Sequence, residues 1–130
     1  MPRRLSVLAL FIVLVPARPA LADPPERVSG KMVLDEVVEG LMRYRYETDQ
    51  DKRWDRLGEL ARTRDPRVAV VLGDLLDHGI NSEQQQAAVI FIVQYHGQKG
   101  PACLTGIVPP VHAWWKKNEA DLRRRAKQLP

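Results

Sequence analysis

The chain has 130 residues, with 20 Lys and Arg against 16 Asp and Glu, a net charge of +4, and one cysteine. That length suits one domain, and a lone cysteine excludes an intramolecular disulfide framework. Three of the basic residues, Arg3, Arg4 and Arg18, fall in the first 22 residues, where there is no acid, so the remainder is nearly neutral. A nucleic-acid reading loses its main support there, since phosphate contacts rely on clustered positive charge, and nucleic acid is not an expected partner.

Arg3 and Arg4 precede an apolar run of 11 residues, Leu5 to Val15, counting Ser6. A bilayer-spanning helix needs about 20 apolar residues, so the run is short for an anchor. Small residues follow at Ala20 and Ala22. This order predicts a secretory signal peptide over residues 1–22, cleaved after Ala22, and an exported protein that is periplasmic or secreted. An uncleaved anchor and an ordinary buried helix are the competing readings. Residues 23–30, with Pro24, Pro25 and Gly30, read as a flexible leader, and 31–130 as a single helical domain.

The first helix is expected from Lys31 to Glu47, because Leu34, Val37, Val38 and Leu41 recur at spacings of three and four. Thr48, with Asp51 three residues on, predicts the cap of a second helix running to about Arg62, with Trp54, Leu57, Leu60 and Ala61 on its apolar face. Asp65-Pro66 predicts a sharp helix start: Asp accepts orphan N–H bonds and Pro at the next position wastes none. That third helix covers Pro66 to Asp77, with Val68, Val71, Leu72, Leu75 and Leu76 inward and Gly79 as its C-cap. The β-branched run from Val68 to Val71 argues strand, but the caps on both sides outweigh it.

Ser82 and Gln85 form a second capping-box pattern, which opens a fourth helix running to about His96. It is apolar almost all round between Val89 and Val93, so it should be the most buried helix; a strand over those five residues is the alternative. A short helix is expected from Pro101, ended by Gly106 and the Pro109-Pro110 pair. Cys103 within it reads as a small buried hydrophobe. The last helix is expected from Pro110 to about Gln128.

The stretch from Leu57 to Asp77, with Asp65-Pro66-Arg67 at its inner turn and Leu72, Leu75 and Leu76 after it, resembles a HEAT-type helical repeat of the armadillo superfamily. Ser82 to Tyr95, with Ala87 and Ala88, is similar to the first helix of a following unit. The resemblance covers residues 51–108. It departs from the family in its 31-residue offset between helix starts, Asp51 to Ser82, against about 40 in full repeats, and in having Gly100-Pro101 where a second Asp-Pro-Arg would stand. It implies an all-α right-handed array of about five helices in short stacked hairpins, which binds proteins by shape.

No residue pattern points to catalysis, a metal or a cofactor, so no catalytic residue, metal ligand or cofactor is expected, and the chain does not read as an enzyme. His78, His96 and His112 lack metal-site spacing. His78 and His96 sit where a helix C-terminus offers carbonyls to bond, and Asp74 and Asp77 read as a solvated face. The expected role is protein–protein interaction or scaffolding outside the cytoplasm. The candidate partner surface is Arg67, Tyr95, Trp114, Trp115, Arg123 and Arg124, since aromatics and Arg dominate binding hot spots.

Two repeats are few for a free solenoid, so an unidentified protein partner or a homodimer completes the stack in this reading. The tail from Lys116 to Pro130 carries a net +4, and Asp23 to Asp51 a net −4. The tail, headed by two tryptophans, also suits an anionic membrane surface, which is the alternative function.

Overall fold

The computed structural model describes residues 21–26, 33–101 and 103–128. The expected signal peptide therefore lies outside the described residues up to position 20. The described chain is all helical, without strands, and has five helices: α1 Val33–Tyr46, α2 Gln50–Ala61, α3 Pro66–His78, α4 Asn81–Ile90, which continues into a π-helical turn Phe91–Tyr95, and α5 Val108–Lys127. The strand alternatives at Val68 and Val89 are not adopted.

Helix starts are set by carboxylates more than by hydroxyls. At α2 the cap is Asp49, whose Oδ1 accepts the Lys52 N–H at 3.1 Å, and Glu47 accepts the Thr48 and Asp49 N–H groups. Thr48 is left exposed, because a charged acceptor outcompetes a hydroxyl at the positive end of a helix. The expected Asp65 cap is present: its side chain accepts from the Arg67 N–H, with Pro66 opening α3. Gly79 closes α3 through its N–H to Leu75 O, in an extended conformation rather than a left-handed one.

Helix α4 starts before Ser82. Its first residue is Asn81, and Glu83 Oε1 accepts the Ile80 N–H at 3.0 Å. The short helix expected from Pro101 does not form; Pro101 and residues 103–107 are non-helical, with a turn at Thr105-Gly106 and Gly106 at φ 79°. The Pro109-Pro110 pair instead lies in the first turn of α5, where missing N–H groups break no intrahelical bond. Cys103 is exposed, not a core residue, because the loop that carries it never packs as a helix.

The core runs through every helix: Val37 of α1, Leu57 and Ala61 of α2, Val68, Leu72 and Leu76 of α3, Ala87 and Ala88 of α4, Phe91 and Tyr95 of the π turn, and Val111, Trp114, Trp115 and Leu122 of α5. Val71 and Leu75 lie at its edge. Helix α3 is central and packs most extensively on α5 and α4; α1 packs on α2 at the far end. The adjacent tryptophans point about 100° apart on α5. Trp115 meets α3 at Gly73, and Trp114 meets Phe91 and His96 at ring-centroid distances of 5.8 and 4.6 Å. Together they wedge α5 between α3 and the π turn.

Candidate functional site

Two places gather polar side chains against this core. The first is a groove of about 570 Å³ between α5, the α2–α3 turn and the segment Asp23–Glu26. Buried Tyr95, Trp114 and Leu122 lie along it, and Arg64, Asn118, Asp121 and Arg125 also line it. Asp23 Oδ1 accepts the Trp114 Nε1–H at 3.0 Å, so the chain's own non-helical segment already occupies one side. Leu21, just before it, packs against the core.

Arg64 is positioned by backbone strain. It ends the α2–α3 turn at φ 55°, in the left-handed region that non-glycine residues seldom adopt. From there its Nε donates to Tyr95 O at 3.1 Å and ties the turn to the π turn. Gly97 answers it at φ 65°, where a side-chain carbon would stand 3.3 Å from the Arg64 guanidinium. Asn118 donates to Trp114 O at 2.8 Å, one turn back along α5.

His96 lies behind Trp114, almost fully buried. The Phe91 carbonyl can only accept, so Nδ1, 2.8 Å away, carries the proton. The His96 backbone N–H donates to the same oxygen at 2.8 Å, which closes the π turn. This is the helix-end role expected of His96. Its Nε2 is buried without a hydrogen-bond partner. Burial, the main cause, and the nearby Arg64 cation hold the imidazole below its usual pKa, against the opposing pull of the Phe91 carbonyl and Asp23.

The second place is the end of α3. Asp77 is not on a solvated face: its side chain is 8% exposed. Oδ1 accepts from His112 Nε2 at 2.7 Å and pairs with Lys116 Nζ at 3.0 Å, while Oδ2 accepts the Trp115 Nε1–H at 3.0 Å. Burial works to raise this carboxyl, but the bonds from Trp115, His112 and Lys116 outweigh it and hold the pKa at about 2. Next to it, Arg123 pairs with Asp74 at 2.6 Å and Glu119 at 2.9 Å and lies over the Trp115 ring. The spacing of Asp74 and Asp77 gave no sign of this, because their partners are 35–49 residues away.

The residues expected to form one partner surface are thus split. Tyr95, Trp114 and Trp115 are core, at 2%, 8% and 0% exposure; their large apolar area is better satisfied between helices than in water. Arg67 is largely covered and clamps the Asp65 carboxylate. Arg123 is committed to Asp74 and Glu119, and Arg124 pairs with Asp121 on the exposed face of α5. Only edges of Tyr95 and Trp114 reach the groove.

Among the described residues no group of three or more His, Cys, Asp or Glu side chains could hold a metal ion, and no helix is long and apolar enough to cross a membrane. The chain matches no family model, and no curated protein or solved structure is significantly similar to it.

Proposed function

We propose that this chain is a non-catalytic interaction module acting outside the cytoplasm, and that it holds an extended, carboxylate-bearing segment of a protein partner in the Trp114 groove. The observation that carries the reading is the seat of Asp23. A non-helical stretch of this chain lines the groove and presents a carboxylate to the Trp114 indole N–H. Arg64 and Arg125 line the same walls; Arg64 is tied to the Tyr95 and Arg62 carbonyls and Arg125 holds Asp121 through one nitrogen at 3.4 Å, which leaves guanidinium donors of the kind that favour planar, two-pronged capture of a carboxylate.

The polar clusters elsewhere support the same view, since Asp77 and Arg123 are used to fasten α5 to α3. The HEAT-like reading of residues 51–108 fits it too, since such arrays bind through grooves between packed helices. The membrane alternative has less behind it. Both tryptophans that would enter the lipid are buried, and Lys116, Arg123 and Arg124 are ion-paired.

The test is affinity capture from the extracytoplasmic fraction of the source cell with residues 23–130 as bait, beside an Arg125→Glu bait. A protein retained by the first and lost with the second supports the proposal. Identical capture by both, or none above an empty matrix, overturns it.

A further inference from the structure

The two ends of the helical array are finished differently. At the α5 end the outer face is polar and ion-paired. At the α1 end, Val38, Met42 and Tyr46 are 38%, 57% and 75% exposed. They recur every four residues, so they form one apolar stripe along the side of α1 that α2 leaves uncovered. Large exposed apolar groups in a row, unlike scattered ones, mark a contact surface.

The charges on this helix select its occupant. Its N-terminal half carries Glu36 and Glu39, and its C-terminal half Arg43 and Arg45. Glu39 and Arg43 pair with each other at 2.5 Å along one helix, and an identical helix laid antiparallel across the stripe brings each acidic half against a basic half, so that the same two exposed side chains also meet their opposites on the second copy. The two helix dipoles are then also opposed favourably. A parallel copy sets like charges together. A partner helix of one sign, such as the basic α5 of another molecule, satisfies only half of α1. A self-complementary patch of this kind is what a two-fold axis requires.

We infer that α1 is a self-association surface, on which a second copy of this chain packs its own α1 antiparallel, with Met42 close to the two-fold axis. A helix of 14 residues spans about 21 Å. The contact is therefore at the small end of specific interfaces, and the dimer is a weak, concentration-dependent one.

Sedimentation equilibrium over a range of micromolar concentrations reads this directly. The expected result is a monomer–dimer equilibrium that Met42→Glu weakens by about tenfold or more. Val38→Asn does the same by a smaller change, in case Met42→Glu disturbs the fold. Glu39→Arg weakens the dimer, and the double variant Glu39→Arg with Arg43→Glu recovers it. Met42→Cys in a Cys103→Ser background forms a symmetric disulfide dimer on mild oxidation, since like residues at a two-fold come within bonding reach. A protein that stays monomeric at the highest concentration overturns the inference, as does a dimer indifferent to these changes.

Discussion

Trp115 rests on the bare backbone of Gly73. A Cβ added to Gly73 would stand 2.1 Å from Trp115 Cε2, far inside any real contact. The absence of one methyl group is thus what lets α5 approach α3, its principal partner. At an exposed helical site Gly→Ala stabilises by about 1 kcal/mol through helix propensity. Here the sign reverses. Gly73→Ala is expected to destabilise the domain by about 3 kcal/mol, because the indole is fully buried and has no space to retreat into. Urea unfolding checks this through its midpoint at unchanged slope. A neutral or stabilising result would place Trp115 elsewhere.

Asp77 links acid stability to the same joint. Its folded pKa of about 2 lies below the ordinary carboxyl value of about 4, so the unfolded chain takes up the proton first as pH falls. The contribution is complete above about pH 4 and drains away toward about pH 2. Full linkage for such a shift is about 2.5 kcal/mol, and solvent around the half-exposed His112 and Lys116 reduces it to about 1–2 kcal/mol. Asp77→Asn is expected to lose about that amount at neutral pH and to flatten the acid limb of the stability profile between those two pH values. An unchanged acid limb would contradict the assignment.

His96 acts in a separate window. Burial holds its imidazole below the usual value of about 6.5. The neutral ring therefore contributes stability that is present above about pH 6.5 and is lost as pH falls through the lower folded pKa. Unfolding at about pH 5 is expected to need less urea than at about pH 7.5, and in His96→Phe that difference should shrink. Histidine proton shifts followed by NMR provide a direct check, with one ring titrating below the usual midpoint. A ring at 6.5 or above would mean that His96 is solvated.

Local chemistry was legible in the sequence and distant pairing was not. The Asp65-Pro66 start, the Gly79 stop and the buried Leu72 and Leu76 follow from neighbours a few residues apart, and the structure has each of them. Thr48 and Ser82 were less informative: at α2 the Asp49 carboxylate takes the cap, and α4 begins one residue earlier, after Ile80, whose N–H Glu83 accepts. The π turn at Phe91–Tyr95 shifts backbone bonds by one residue, a change that side-chain periodicity does not record. The tryptophans illustrate the largest gap. Composition makes a Trp pair beside arginines look like a contact surface, and only the glycine notch at position 73 and the ring of Phe91 show where each indole goes.

The Asp65–Arg67 clamp combines two local devices in one turn. Asp65 is fully buried and caps α3 by accepting the Arg67 N–H at 2.9 Å; its two oxygens also accept from Arg67 Nε and Nη2 at 2.9 and 2.8 Å. A buried carboxylate is stable only while its partners neutralise it. Asp65→Ala removes cap and ion pair together and leaves a covered guanidinium, so it is expected to cost about 3 kcal/mol, against about 1 kcal/mol for an ordinary cap. Asp65→Asn keeps an acceptor for the Arg67 N–H and should fall between the two. Arg67→Ala leaves the carboxylate buried with its cation gone and should be as harmful as Asp65→Ala. The pair should therefore show strong coupling in a double-mutant cycle, the double variant costing less than the two single changes added. Additive losses would mean that capping alone matters, and that Arg67 is held there for another purpose.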